Sequence, residues 1–573
     1  MSDITVLNTD VLVIGGGFAG LWTAKKAREY VEDVLIVDKG PRDWGGQGSM
    51  SGGDMVTLHE GEDLNAWLDD IVFFNDGLCD QRMTAETLEA SLPRFHDYEA
   101  MGHTFSRDAA GKYATVLQRG LKHVSLTTSH PTGKGGSNMH AALVRSVKSL
   151  NIRRIGNLMI TAIIKDGERA AGAAGFFNLS GEPVYIRAKA VVITTGTGGW
   201  KASYLQNSLA GACVELALDA GATLRNFEFI DNWNVPKLFA WEGQTVLIPR
   251  GGRFVNAEGE EFMAARYSPV LGSRTDTQYN IRGMVLEAKA GRGPIVFDVS
   301  RIPEEYLEEL TPAAGWMKLN DSKLKKLGID FFKDNIEWMP QPIASEGGVA
   351  TGLDGSTEIA GLYAAGTAQS LNAGVYFGGY SICHCATSGY ITGEAAGNYA
   401  SGVSSPKFDE ERAHALLAPV LDRLGKTGIA PKDIIRTLQE LMTPPDVCVL
   451  KSEKGLRRSL RRLEQLKEEV LPRMGAEDPH YLGKMREAQG ILRLTEAFLR
   501  ASLERTESRA GHFRADYPAR DDSTDMYWVE IRQKDGEMFT LRRRVPVEEY
   551  PIKPYRYYMD QFTFPLEEIR SFA

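Results

Sequence analysis

Cysteine is scarce, long apolar runs are missing, and neither sign of charge dominates. Five cysteines in 573 residues build no disulfide framework and suit a reducing compartment. The one close pair, Cys383-His384-Cys385, has no second ligand pair to complete a metal site, so a buried helical cysteine pair is the favoured reading and no metal is expected. No segment approaches the roughly twenty apolar residues of a membrane span. The N-terminus, MSDITVLNTD, carries Asp3 and Asp10 where a secretory signal needs basic residues. A cytoplasmic location is the expectation. A net charge of −9, with acids and bases interspersed, leaves no electrostatic footprint for nucleic acid or an anionic membrane. Histidine is also thin: there are ten, and none between His140 and His384.

What is present is enough to build several units. The chain exceeds the size at which one core keeps growing, and 43% hydrophobic residues can fill two or more domains. The first fifty residues read as a short apolar strand (VLVI), a glycine turn, a helix (LWTAKKAREYV) and a second strand (VLIVDK), one βαβ unit. Residues 157 to 196 read as strands broken by turns, ending in AVVITTGTGGW. From about 227 to 340 the pattern is mixed and richer in charge and proline. Strand, glycine loop and helix return at 361 to 398, so the first domain is expected to be discontinuous, with a smaller one inserted. Residues 409 to 505 read as helices, and the Arg/Lys run of KGLRRSLRRLEQLKEEVL reads as a solvated helix face. The Arg-, Tyr- and Pro-rich tail has no clear pattern.

Gly15-Gly16-Gly17-Phe18-Ala19-Gly20 follows the first strand directly and opens a helix, with Asp38 ending the second strand. This spacing lets backbone amides approach a pyrophosphate and sets a carboxylate where a ribose hydroxyl can donate to it. A dinucleotide is predicted. Further glycine loops follow, at Trp44 to Gly53, at Thr194 to Gly199 and at 366 to 382. One nicotinamide site needs one such loop, whereas an isoalloxazine with its ribityl chain needs several, so FAD is favoured. The expected cofactor contacts are Gly15, Gly17, Phe18, Ala19, Gly20, Asp38 and Lys39. The second loop adds Gly45, Gly46, Gly52 and Gly53. Later segments add Ile160, Thr195, Gly196, Gly366, Thr367, Ser381 and Ile382.

These loops, with RNFEF at 225 to 229, GGRFVNAEGEEF at 251 to 262, EGGVATG at 346 to 352, IAGLYAAG at 359 to 366 and TESRAGHFRADYPARDD at 506 to 522, fall in one order along nearly the whole chain. In that order the sequence resembles the flavoprotein family of fumarate reductase, succinate dehydrogenase and L-aspartate oxidase, and more distantly adenylylsulfate reductase alpha subunit. The resemblance implies an α/β fold: a Rossmann-like FAD-binding domain (1–226 and 341–405), an inserted α+β capping domain (227–340), a helical domain (406–515) and a small C-terminal piece (516–573). It places Ser381 and Ile382 at a helix start facing the flavin's pyrimidine end, where backbone amides stabilise a reduced ring. It implies an electron-transfer partner, iron–sulfur or other. The covalent flavin link of family members uses a histidine in the second glycine loop, where Gly46 stands here. FAD is therefore expected to be non-covalent.

The same resemblance shows what is missing. Dicarboxylate members clamp the substrate with two histidines and an arginine, and the matching places hold Trp233, Ile343 and Tyr376. The gap between His140 and His384 means the inserted segment supplies neither histidine. Charge-assisted bonds of roughly 1.5–3 kcal/mol each are absent, so fumarate and succinate are not the expected substrates. Arg282, in YNIRGMVLEAK, matches the family's proton-donating arginine, without its usual Pro and Asp neighbours. It reads either as an acid or anion anchor, or as a structural arginine of the cap; Arg250 and Arg253 are weaker candidates. Trp233, Tyr376, Phe377 and Tyr380 offer a stacking surface for a planar substrate or fill core volume. Tyr376 or Tyr380 is also placed to relay a proton. The expected catalytic set is thus Arg282, Tyr376, Tyr380 and Trp233. The expected activity is FAD-dependent reduction or formation of an activated C=C bond in a non-dicarboxylate substrate. The alternative is an adenylylsulfate-reductase-like flavoprotein beside an iron–sulfur partner.

Overall fold

Apolar runs without alternation suit strands covered on both faces, and VLVI, VLIV and AVVI form the centre of the main sheet. In the computed structural model, which describes residues 4–129, 135–202, 207–238, 247–305, 324–370 and 377–573, the strand Thr5–Ile14 leads through Gly15–Gly17 into the helix Phe18–Ala27. The chain then returns as Val34–Val37, parallel to the first strand. That is the parallel strand–helix–strand connection expected of a βαβ unit. Sheet order is 153–155, 34–37, 5–14, 183–193, 169–177, 158–166.

Strand Pro183–Ile193 joins two halves of this sheet. Its first residues pair antiparallel with Arg169–Phe177, while Val191, Val192 and Ile193 pair in parallel with Leu362, Tyr363 and Ala364. Residues far along the chain therefore return to the first sheet, and the helix Tyr380–Gly402 follows them. This helix packs tightly on Phe18–Ala27. Gly389, Gly393 and Gly397, four residues apart and so on one face, meet Ala19, Thr23 and Ala27; a Cβ at Gly393 would stand 2.5 Å from the Thr23 carbonyl oxygen. Cys383 and Cys385 lie on this same helix, Cys383 wholly buried. No grouping of metal-binding side chains occurs among the described residues.

A second, antiparallel sheet has the order 230–236, 337–345, 295–298, 253–255, and the helix Thr277–Lys289 lies against it. That helix begins at Asp276, whose carboxylate accepts from the Gln278 and Tyr279 amides at 2.8 and 3.3 Å, a standard N-cap. Helices Glu410–Leu421, Pro431–Met442, Glu453–Gln465 and Pro479–Glu504 account for the region read as helical. The Arg/Lys run lies on Glu453–Gln465, with Leu456 and Leu463 buried and its arginines outward. The unpatterned tail contains a hairpin, Tyr527–Lys534 with Glu537–Arg544. Its first strand pairs with Leu224–Arg225, which pairs in turn with Gly348–Val349. No helix among the described residues is long and apolar enough to cross a membrane.

Candidate functional site

The glycine loops converge at the carboxyl end of the main sheet, where open α/β sheets bind nucleotides. Gly15 adopts φ +117° against Thr194, and a Cβ at Gly20 would overlap the Gly15 carbonyl oxygen. Both positions exclude any side chain. Asp38 accepts the Gly16 amide on one oxygen and the Gly40 amide on the other, each at 2.6 Å. The second loop crosses the first: a Cβ on Gly46 would stand 2.7 Å from the Gly17 Cα, and one on Gly45 2.8 Å from Asp38. Gly53 abuts Gly135 at the start of the helix Gly135–Ser149, and a Cβ on Gly135 would in turn overlap the Gly52 carbonyl oxygen.

The later loops close the other side. Gly366 abuts Ala19, and the Thr197 amide donates to the Thr367 hydroxyl at 3.2 Å. Gly196 lies against Leu209. Phe18 and Ala19 are buried, Phe18 stacked on His140 at 6.1 Å. Ile160 is buried on the strand Leu158–Asp166. Ser381 and Ile382 fall in the first turn of Tyr380–Gly402, after Gly379 with φ +77°. Lys39 is drawn elsewhere: its ammonium donates to Glu487 at 2.6 Å and to the Ser208 carbonyl at 2.7 Å. The buried Thr195 hydroxyl finds no partner among the described residues. Side-chain-free approach from several loops, helix starts aimed inward and a buried hydroxyl left open together fit FAD.

Above the loops stands the inserted sheet and its helix. Arg282, one turn after Gln278 on Thr277–Lys289, is 2% exposed. Its Nη2 donates to the Ala510 carbonyl, and its guanidinium covers the Tyr279 ring at 4.0 Å and the Phe513 ring at 4.7 Å. Nη1 has no acceptor among the described residues, although leaving a buried guanidinium N–H unmet is costly. Arg119, half-buried, reaches the same helix start, donating to Thr277 Oγ1 at 2.7 Å. The Asp276 carboxyl faces both guanidiniums and is raised by burial, against their pull.

Trp233 is half-buried against Leu209, Ile343 and Ala344. Its indole N–H donates to Asp231 at 2.6 Å, and Asp231 also accepts from the Gln278 amide at 3.1 Å. Burial pushes the Asp231 carboxyl up to about 7, with those two hydrogen bonds pulling the other way. Glu346 follows Ser345, whose amide donates to the Gly198 carbonyl at 2.8 Å; burial, and then the charge of Asp231, raise its carboxyl well above the usual range. Tyr380 lies apart from this group, wholly buried against Phe377, His384, Thr84 and Thr87. Arg253 pairs with Asp298 at 2.8 Å. Tyr376 lies outside the described residues. Arg119, Gln278 and Asp231 carry no motif, whereas Glu346 opens the EGGVATG stretch, where an acid stands directly before a glycine pair.

Residues 10–382 match the FAD binding domain family, and residues 435–557 match the fumarate reductase flavoprotein C-terminal family. Among curated proteins, the chain is 26% identical to a fumarate reductase (CoM/CoB) subunit of Methanothermobacter marburgensis, covering 89% of this chain and 94% of that protein. It is 27% identical to L-aspartate oxidase of Streptomyces coelicolor, covering 91% of each. Among solved structures, quinol fumarate reductase of E. coli superposes with a TM-score of 0.86 at 20% identity, over 97% of this chain and 100% of that one. An adenosine-5-phosphosulfate reductase in complex with sulfite shares the fold more loosely, with a TM-score of 0.77 at 20% identity, over 96% of this chain and 98% of that one.

Proposed function

The chain is an FAD-dependent oxidoreductase belonging to the fumarate reductase and succinate dehydrogenase flavoprotein family, and from that premise we propose that it reduces, or forms, an activated C=C bond in a substrate that is not a small dicarboxylate. The carrying observation is Arg282: a buried guanidinium with one nitrogen unmet among the described residues, on the helix whose Gln278 meets the carboxyl held by Trp233, the place where dicarboxylate relatives carry histidine. Bound FAD supplies or takes up the electron pair exchanged with the substrate carbon.

The protein's own residues do the rest. Asp38 and the crossed glycine loops orient the cofactor, non-covalently, because Gly46 offers no nucleophile for a link. Amides at the start of Tyr380–Gly402 favour negative charge on the ring. Arg282 serves as the anchor for the electron-withdrawing group of the substrate through Nη1, polarising the double bond, or as the acid that gives the carbon its proton. Trp233 gives a planar substrate a face to stack on.

Electrons reach the flavin through a separate carrier, protein or small molecule. The chain's own cysteines, five in all with only Cys383 and Cys385 close in sequence, are too few and too dispersed to ligate an iron–sulfur centre. An adenylylsulfate-reductase-like role draws on overall fold alone and is not advanced. The test is anaerobic: the photoreduced flavoprotein is mixed with aromatic α,β-unsaturated esters and amides and, separately, with fumarate. Rapid flavin reoxidation by the first group and slow reoxidation by fumarate is expected. Fast turnover of fumarate would overturn the proposal.

A further inference from the structure

The strands Ile230–Pro236 and Glu337–Ser345 run antiparallel, with Ile230 opposite Ser345 and Asp231 opposite Ala344. The pairing continues one step further, since the Glu346 amide donates to the Phe229 carbonyl at 3.0 Å. Glu346 therefore lies two residues along from the partner of Asp231, on the same face, a diagonal that long side chains bridge. Both residues are 5% exposed. Two carboxylates cannot both stay ionised in such a place, because each charge raises the cost of the other.

Among the described residues, the groups facing the pair can be named. Asp231 receives the Trp233 indole from its own strand and the Gln278 amide from the neighbouring helix. Glu346 Oε2 receives nothing among the described residues. The guanidiniums of Arg119 and Arg282 hydrogen-bond to Thr277 and Ala510, and neither is among the charges that act on the two carboxyls. The seam is closed on the cofactor side by Thr197, whose hydroxyl donates to the Ser345 and Gly347 carbonyls at 2.8 and 2.9 Å. Thr197 thereby ties the backbone on both sides of Glu346 to the Thr194–Gly199 loop.

Building on the redox reading above, we propose that Asp231 and Glu346 share one proton and form the recognition end of the substrate site, selecting an uncharged carboxamide-type group over a carboxylate. A singly protonated pair offers one O–H donor beside carboxylate acceptors. A carboxamide, lactam or imide offers the mirror image, a carbonyl beside an N–H. A carboxylate at the same place meets a net negative charge and has no N–H to give. The pair then supplies specificity where dicarboxylate relatives use cationic clamps.

The test uses the FAD-loaded protein at pH 7 with cinnamamide and cinnamate as matched probes. Binding is read as perturbation of the oxidised flavin spectrum, and turnover separately as reoxidation of the reduced flavin. Cinnamamide is expected to saturate at a concentration about tenfold or more below that of cinnamate. Glu346→Gln is expected to reduce that preference to about twofold or less at unchanged FAD content. An infrared difference spectrum between wild type and Glu346→Gln should lose the carbonyl band of a neutral carboxylic acid, and Asp231→Asn repeats the measurement should the first variant not fold. Absence of that band, preference for cinnamate, failure of both probes to bind, or a preference that survives both substitutions overturns the inference. Tight amide binding without reoxidation of the reduced flavin leaves the inference standing and defeats the redox reading instead.

Discussion

Replacing Arg282, buried with one nitrogen unmet among the described residues, is expected to separate cofactor binding from chemistry. Arg282→Gln keeps hydrogen-bonding capacity toward the Ala510 carbonyl but removes the charge and the second donor face. We expect FAD content to be retained and kcat/KM to fall by roughly a hundredfold, since one preorganised donor at a charge-developing centre contributes on that order. Steady-state rates beside the flavin-to-protein absorbance ratio check this.

Lys451 gives a stability prediction with a definite sign. Its ammonium is buried between the Glu228 carbonyl and His512 at 2.6 and 3.0 Å, with Arg514, Arg282 and Cys448 also facing it. Burial first, helped by the neighbouring guanidiniums, brings it down to about 7 from 10.5. Below pH 7 the amine is protonated in both folded and unfolded chains. Above pH 7, and up to the unfolded value, only the unfolded chain keeps the proton, so wild type gains stability relative to Lys451→Met as pH rises through that window. Urea denaturation of both proteins at pH 6.5 and pH 9 measures the difference.

Legibility at this scale divides by the kind of signal. Gly15, Gly20 and Asp38 are readable because spacing within a short stretch sets their geometry. Asp231 and Glu346 are not, because strands more than a hundred residues apart in sequence bring them together. Arg119 is hidden for the same reason, and Lys39, though next to Asp38, turns its charge to Glu487 on a distant helix.

Among the elements, the contact between Phe18–Ala27 and Tyr380–Gly402 links cofactor binding to packing. The glycine stripe at 389, 393 and 397 lets the backbone of one helix touch the other. A larger residue forces the helix axes apart and carries Gly366 and the first glycine loop with them. Gly393→Leu is expected to cost about 1–3 kcal/mol of stability and to lower FAD occupancy, measured by thermal denaturation and flavin absorbance of the purified variant. The strands and helices are largely readable from periodicity, including the discontinuous return at Leu362–Ala364. The tail hairpin is not: EMFTLRRR is mostly exposed and lacks the apolar alternation that marks a half-buried strand.

At the scale of the whole molecule, FAD acts as a structural component, because its loops come from the first, second and last segments of the main sheet. A ligand bound only by the folded state stabilises it by RT ln(1 + [L]/Kd), about 2.7 kcal/mol at a hundredfold excess over Kd. Deflavinated protein is expected to melt at a temperature that rises with the logarithm of added FAD and does not respond to NAD. Differential scanning calorimetry across a concentration series decides it.

The short sheet that joins Leu224–Arg225, Gly348–Val349 and Tyr527–Lys534 has a consequence during synthesis. The first two segments are where the polypeptide leaves for the second sheet and comes back, and the third is made long after both. A nascent chain therefore carries this junction with one edge bare until the hairpin strand has left the ribosome and can zip onto it.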